Sequence, residues 1–170
     1  MTASIRIALS RAALFVLLCL CLALAACSTV PNAEEEIAPS TDTREAIASL
    51  ALEQLDAPYQ ANAAGPKAFD NSGLTYFAYH GAGAELPRET QAQLDAGKPI
   101  DLAEAQPADL LFFRVETANG GDQMLVGLYT QTAEMLMAAP NVQGHTGVSL
   151  ISLDDEFWQQ RLVGVIRLLP

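Results

Sequence analysis

The residues of this chain that could do chemistry begin with Asp70, Asn71 and Ser72, at the predicted start of a helix. Their short side chains can accept a hydrogen bond from a free backbone N–H, so all three favour a helix N-terminus. A side chain in the first turn lies at the positive end of the helix dipole, where an anionic nucleophile such as a thiolate is stabilised. In this chain that position holds Asn71, whose amide has no useful nucleophilicity.

Helices must position these residues, and the sequence pattern predicts three helices in the first half of the chain. The central helix runs from about residue 71 to 81, with one apolar or small face formed by Leu74, Phe77, Ala78 and Gly81. An earlier helix ends before Pro58, with its apolar face formed by Ile47, Leu50, Ala51 and Leu55. A short third helix is predicted from Pro87 or Arg88 to Asp95.

The second half of the chain changes to short apolar runs bounded by turn residues, a pattern typical of strands. Four such runs are predicted, at residues 110–115, 124–130, 135–138 and 163–168. The sequence Asn-Gly-Gly-Asp at residues 119–122 predicts a hairpin turn. Helices followed by strands predict a single α+β domain, with N-terminal helices packed on a small antiparallel sheet.

The run Asp70-Asn71-Ser72-Gly73-Leu74 resembles the Asp-Cys-Ser-Gly-Leu motif of the NlpC family of papain-like cell-wall peptidases, in which the Cys is the nucleophile. The similarity extends over roughly residues 43–168, and its motifs occur in the same order. The other matching motifs are Ala57-Pro58-Tyr59, Leu86-Pro87-Arg88-Glu89-Thr90 with Gln93, Pro107-Ala108-Asp109-Leu110-Leu111-Phe112-Phe113, and Val126-Gly127-Leu128-Tyr129. The resemblance implies a papain-like, NlpC-type fold.

The catalytic residues of that family do not carry over to this chain. The resemblance places the family's Cys at Asn71, its first His at Leu125 and its second His at Met137. None of these side chains can act as a nucleophile, a general base or an orienting group. All cysteines of the chain precede residue 28: Cys19, Cys21 and Cys27. We therefore predict that the chain is not an enzyme but a pseudoenzyme of a cell-wall peptidase family.

Three other positions keep the residues that the family uses to hold a ligand. In the family a Tyr, together with the Asp and Ser that flank the Cys, binds the free amine of the L-Ala that begins the peptidoglycan stem peptide. The resemblance places these residues at Tyr59, Asp70 and Ser72. A phenol, a carboxylate and a hydroxyl that converge can hold an ammonium group. The alternative is that Asp70 and Ser72 only cap the helix, while Tyr59 forms a wall of the core.

The N-terminal 26 residues have the features of a secretory signal peptide. Arg6 and Arg11 precede an apolar run, residues 12–24, that is too short to span a membrane comfortably. The run ends in Leu24-Ala25-Ala26-Cys27, which resembles a bacterial lipobox and implies cleavage before Cys27 and lipidation of that residue. A plain signal peptide or an uncleaved anchor is the alternative.

The residue after the lipidated cysteine bears on where the protein is sorted. Ser28, rather than Asp, implies an outer-membrane lipoprotein whose domain faces the periplasm. Residues 27–41 have too few apolar residues to pack, which predicts a flexible tether. The NlpC-like domain then occupies residues 42–170.

Charge and metal-ligand content exclude several classes of function. The chain has 9 basic and 20 acidic residues, and loss of the leader removes two arginines, leaving a formal charge of −13. This charge argues against nucleic acid and against a polybasic membrane contact. His80, late in the central helix, and His145, in a predicted turn-rich loop at residues 143–147, are isolated, so we predict no metal site and no cofactor.

Together these features predict a lipid-anchored envelope protein that binds a peptidoglycan stem peptide or a protein partner in the cell envelope. Two alternatives stay open. One is an active peptidoglycan endopeptidase that uses atypical residues. The other is a structural envelope protein that keeps the fold with no ligand, since a fold does not by itself fix a function.

Overall fold

The computed structural model describes residues 41–117, 120–131 and 133–170. The predicted signal peptide, the lipidated Cys27 and the tether up to residue 40 lie outside the described residues. Three helices come first in the described part: α1 (Thr41–Leu52), α2 (Asn71–Gly81) and α3 (Thr90–Asp95). No helix in this part of the chain is both long and apolar enough to cross a membrane.

A six-stranded sheet follows the helices. Its strands are β1 (Lys98–Ile100), β2 (Leu110–Glu116), β3 (Asp122–Tyr129), β4 (Glu134–Val142), β5 (His145–Ser152) and β6 (Leu162–Arg167). A short helix, α4 (Glu156–Gln159), precedes β6. The strand order is β1-β6-β2-β3-β4-β5, and every neighbouring pair is antiparallel. The predicted α+β class is therefore confirmed.

The sheet is buried on both faces because its strands alternate between two apolar clusters. On one face α1 and α2 pack on the sheet, with buried contributions from Ile47, Ala51, Leu74, Ala78, Phe112, Val126 and Leu128. On the other face α4 supplies Trp158, which packs edge-on against Phe113. The central helix α2 is thus fixed against the middle of the sheet, where its first turn meets β3 and β4.

The segment before α2 is attached to the outer edge of the sheet. Val148 of β5 donates its N–H to the carbonyl of Ala57 at 2.8 Å and accepts the N–H of Asp56 at 2.9 Å. Gly147 has a φ of +74°, and a Cβ there would lie 2.6 Å from the Ala57 oxygen, so only glycine fits. These contacts fix the start of the loop that carries Tyr59.

Several elements differ from the sequence prediction. Helix α1 ends at Leu52 instead of reaching Leu55, which is 46% exposed, because residues 53–56 form turns and Asp56 adopts a positive φ. His145 does not lie in a loop but begins β5, which pairs along its length with β4. The short β1 and α4 were not predicted, since three and four residues are too few to show a periodic pattern.

Candidate functional site

The first turn of α2 is built as the sequence predicts, on a side-chain cap. Asp70 is the N-cap residue, and its Oδ1 accepts the N–H of Gly73 at 2.7 Å. The loop before α2 passes so close that a Cβ on Gly73 would lie 2.1 Å from the carbonyl oxygen of Ala63. Glycine at this position therefore allows the loop and the helix terminus to touch, which brings the loop residues to the predicted site.

Asn71, at the position where the family has its Cys, is bonded to the backbone of two strands. Its Nδ2 donates to the carbonyl of Val126 at 3.0 Å and to that of Ala138 at 3.3 Å. Its Oδ1 accepts the N–H of Val126. Strands β3 and β4 pair only through Leu128 with Leu136 and Tyr129 with Met135. The Asn71 amide therefore bridges the two strands where their own ladder has ended.

The structure brings the backbone of the three positions that match the family's catalytic residues close together, but the side chains at these positions do not line an open cleft. Leu125 and Met137 immediately precede the two residues that Asn71 contacts. Both side chains are fully buried in the cluster around Trp158, and Asn71 is only 5% exposed. As they are placed, these three side chains form part of the core.

Asp70 and Ser72 meet at a third residue, Arg88, which the sequence analysis did not place in the site. The Arg88 guanidinium donates to Asp70 Oδ2 at 2.6 Å, to Ser72 Oγ at 3.0 Å and to the Ala63 carbonyl at 3.3 Å. Arg88 belongs to the Leu-Pro-Arg-Glu-Thr motif, which could have pointed to it. Its role depends on a contact across 16 to 18 residues that no local pattern shows.

Tyr59 lies beside this group. A backbone bridge pairs Tyr59 with Phe69, the residue before Asp70. The Tyr59 side chain is half-buried, and burial raises the pKa of its phenol, with the nearby Asp70 carboxylate adding to the effect. The structure thus brings Tyr59, Asp70 and Ser72 to one end of α2, and the prediction that they bind a ligand stays a prediction.

The buried side-chain amide of Gln93 joins the first turn of α2 to the segment that carries Arg88. Gln93 is fully buried; its Nε2 donates to the carbonyls of Pro87 at 2.8 Å and Ser72 at 3.1 Å. Its Oε1 accepts the hydroxyl of Thr75 at 2.9 Å. The segment that carries Arg88 is therefore held against the first turns of α2 by bonds from a fully buried side chain, which limits the movement of the guanidinium.

The two histidines lie apart from this group. His80 Nε2 is 3.2 Å from the Leu86 carbonyl, and its ring stacks on Tyr76 with a centroid separation of 4.1 Å. It lines a cavity of about 930 Å³ at the opposite end of α2 from Asp70. His145 pairs with Val142 at the start of β5. Among the described residues, no group of three or more His, Cys, Asp or Glu is placed to hold a metal ion.

Comparison with known proteins gives the family. The family model for the NlpC/P60 family matches residues 56–167. A probable endopeptidase of Corynebacterium glutamicum (strain R) is 41% identical over 91 residues, which cover 54% of this chain and 43% of that protein. The chain thus spans less than half the length of this curated relative.

Solved structures give the fold. A Staphylococcus aureus protein described as similar to a lipoprotein of the NLP/P60 family has a TM-score of 0.65 and 28% identity, covering 88% of this chain and 47% of that one. Mycobacterium tuberculosis RipD, described as a non-catalytic NlpC/p60 domain protein adapted to peptidoglycan binding, has a TM-score of 0.59 at 23% identity, covering 75% of this chain and 98% of that one. The papain-like, NlpC-type fold is confirmed.

One prediction from the sequence needs correction. The prediction that this chain is not an enzyme depended on Asn71, Leu125 and Met137 and on the lack of a cysteine after Cys27, and it is contradicted by relatives that are named probable endopeptidases. The family also includes a structural neighbour described as non-catalytic, so its members differ in this respect. By the match over residues 56–167, this chain belongs to the NlpC/P60 family.

Proposed function

We propose that the chain acts in the bacterial cell envelope on the peptide part of peptidoglycan, which its domain binds and, as an endopeptidase, cleaves. The observation that carries the proposal is the NlpC/P60 match over residues 56–167, a range that holds Tyr59, Asp70 and Ser72. The names of the relatives support the cleavage, and the geometry of the site supports the binding.

The binding part uses the polar groups at the start of α2. A carboxylate, a hydroxyl and a guanidinium meet there on Asp70, Ser72 and Arg88, and the Tyr59 phenol is near enough for the Asp70 charge to help raise its pKa. The Asp70 and Arg88 side chains are 14% and 28% exposed, so an incoming peptide can reach them. Together they offer both donors and acceptors, as the main chain and the charged ends of a short peptide require.

The cleavage part requires chemistry other than that of a thiol. The sequence has no cysteine after Cys27, and the Asn71 amide is already bonded to Val126 and Ala138. Hydrolysis of a peptide bond needs a nucleophile or an activated water. The reaction in this chain therefore needs an oxygen nucleophile, either a hydroxyl such as that of Ser72 or a water activated at the same site.

Purified peptidoglycan tests both parts with one preparation. The full-length chain, in mild detergent, is incubated with the insoluble cell wall; the pellet is assayed for bound protein and the supernatant for released peptides by mass spectrometry. We expect co-sedimentation and release, with Ser72→Ala reducing the release while the protein still sediments. Sedimentation with no released peptide would overturn the endopeptidase part, and failure to sediment would overturn the binding part.

The proposal includes attachment to the outer membrane by a lipid on Cys27, with the domain on the periplasmic side. The Leu-Ala-Ala-Cys sequence and Ser28 support it. Several acyl chains on one residue give stable anchoring, since each buried CH₂ contributes about 0.8 kcal/mol. Cells fed labelled palmitate should yield a labelled protein in the outer-membrane fraction. The label should be absent from Cys27→Ala, and equal labelling of that variant would refute the anchor.

A further inference from the structure

We infer that the free end of strand β5 is a docking surface for a protein partner, which adds an extended segment rich in lysine or arginine to the edge of the sheet. The surface consists of Leu150, Ile151 and Ser152, and we call it the β5 edge. It shares no residue with the polar group at the start of α2. The inference therefore goes beyond the proposed function and does not depend on it.

Backbone groups of the β5 edge point away from the sheet and are available to a further strand. Val148 bonds to residues 56 and 57, outside the sheet, so its N–H and C=O point away from β4. In an antiparallel pair every second residue shares this direction. Leu150 and Ser152 therefore also point outward. Within the part of the chain that the structure describes, these outward groups have no hydrogen-bond partner.

The two edges of the sheet differ in how they are protected. Strand β1 has only three residues, and it contains Lys98 and Pro99, which discourage the addition of a strand. Strand β5 has eight residues and contains no lysine, arginine, proline or acidic residue. At its free end the Leu150 side chain is 38% exposed. The β5 edge thus presents an apolar side chain beside open backbone groups, as strand addition requires.

Apolar surface continues from β5 to the turn that follows α1. Among the described residues, three of the five exposed large apolar side chains lie on β5 or near the end of α1: Leu52, Leu55 and Leu150. Leu55 precedes Asp56, whose N–H bonds the carbonyl of Val148. A strand added beside β5 would lie about 4.8 Å from it, on the side where this turn meets the sheet. Its apolar side chains can therefore pack against these leucines.

Charge decides which class of partner the β5 edge accepts. The stretch between Arg114 and Arg161 contains β3, β4 and β5, and it has six acidic residues and no lysine or arginine. Glu134 lies opposite Ser152 on β4, and residues 154 and 155, just after β5, are both aspartates. These negative charges attract a basic segment. A second copy of this chain would bring the same acidic residues to the edge, and like charges oppose that pairing.

Hydrogen exchange measured by NMR on the full-length chain in mild detergent tests the geometry. In the free protein the amides of Leu150 and Ser152 should exchange at least about tenfold faster than those of Ser149 and Ile151, which face β4. Addition of a basic partner segment should protect the two outward amides. Equal protection of all four amides in the free protein would overturn the inference, because the edge would already be covered.

The probe is the capped peptide Thr-Lys-Val-Thr-Val-Lys-Thr, compared with two altered forms. One form has glutamate in place of both lysines, and the other has N-methyl groups on both valines. We expect the basic peptide to bind with a Kd of about 100 μM or lower and each altered form to bind at least about tenfold more weakly. Absence of binding at about 1 mM basic peptide, or equal binding of the basic and acidic forms, would overturn the inference.

Two substitutions that add the same charge separate the β5 edge from the charge of the whole chain. Leu150→Lys should weaken binding of the basic peptide at least about tenfold, because it adds a positive charge and removes an apolar contact. Val163→Lys, at a 46% exposed position of β6, should leave binding nearly unchanged. Equal weakening by both variants would overturn the surface. Binding by the wild type that leaves the Leu150 and Ser152 amides unprotected would do so even if Leu150→Lys is unstable.

The size of the particle distinguishes a partner from a second copy. Light scattering of a soluble Cys27→Ala form should show no growth in mass over a hundredfold range of concentration. A concentration-dependent dimer that protects the outward amides without any peptide would make a second copy the occupant and would overturn the basic partner.

Discussion

The side chain of Asn71 and the backbone of Val126 are hydrogen bonded in both directions, as two residues of neighbouring strands would be. The amide donates to the Val126 carbonyl at 3.0 Å and accepts its N–H, while a second donated bond reaches Ala138. A helix residue thus completes a sheet at the point where β3 and β4 separate. The same position that carries a nucleophile in the family's motif here satisfies three backbone groups.

Asn71→Ala should lower the free energy of unfolding by about 2–4 kcal/mol, because buried backbone groups lose their partners. Asn71→Asp has the same shape and should be at least as damaging at neutral pH, because a carboxylate can accept the Val126 N–H but cannot donate to either carbonyl. Urea unfolding monitored by circular dichroism measures both. Asn141→Asp, on the exposed end of β4, should change stability by less than about 0.5 kcal/mol. Wild-type stability in Asn71→Asp would show that the donated bonds contribute little.

Gly73→Ala should destabilise the domain by roughly 2 kcal/mol or more, because the added Cβ would lie 2.1 Å from the Ala63 oxygen, and backbone must move to relieve the clash. Peptide binding should weaken as well, since the same movement displaces Arg88. Gly164→Ala is the matched control, because a Cβ there meets nothing within 4 Å. Thermal unfolding of the two variants compares them directly, and equal melting temperatures would contradict the close approach of loop and helix.

Asp109 is a buried carboxylate that joins the N-terminal helix to the last strand. It is fully buried and pairs with Arg44 at 3.1 Å and Arg167 at 2.7 Å. Asp109→Asn should cost about 3–5 kcal/mol, because two arginines lose their counter-charge. The exposed Asp122→Asn should be nearly neutral in the same denaturant titration. A small effect at position 109 would mean that water reaches the arginines.

The buried phenol of Tyr79 should make the free energy of unfolding fall at alkaline pH. Its hydroxyl donates to the Ala108 carbonyl at 2.6 Å. Burial raises the pKa of the phenol above its ordinary value of 10.0, and the negative charge of Asp109 adds to this increase. The positive charge of Arg44 partly opposes it. The unfolded chain therefore loses this proton first as the pH rises. Below about pH 10 the neutral phenol makes its full contribution to the free energy of unfolding. Above that pH the contribution decreases by up to about 1.4 kcal/mol per pH unit.

Unfolding titrations of the wild type and Tyr79→Phe between about pH 9 and 11 isolate this contribution, since the other titrating groups are common to both. Tyr79→Phe should be less stable by about 1 kcal/mol at neutral pH, where it lacks the hydrogen bond, and should lose less stability in alkali. Parallel pH profiles of the two proteins would show that the phenol ionises as easily in the folded state as in the unfolded one.

Local signals predicted the centre of this fold well. The caps at Asp70 and the apolar spacing after it placed α2 at residues 71–81, where the structure has it, because both signals act within one or two turns. The four strands predicted from apolar runs are also present. Strand β5 was missed because it begins beside a Gln-Gly turn and its Thr, Ser and Gly residues interrupt the apolar pattern.

The site was harder to predict because its contacts cross long distances in the sequence. Asn71 contacts Val126, 55 residues away, and no pattern around Asn71 indicates that its amide completes a strand ladder. The burial of Leu125 and Met137 against Trp158 likewise depends on a helix too short to predict. Arg88 lay in a recognised motif, yet only the folded structure shows the carboxylate and hydroxyl that it holds.

The hydrogen bonds between residues 56 and 57 and Val148 also affect the tendency of the protein to self-associate. Strand β5 ends the sheet, and an open strand edge is a template on which another chain can add a strand. The segment before Tyr59 covers that edge at its middle. A change that releases this segment, such as a side chain at Gly147, would therefore promote self-association of a domain whose core is otherwise intact.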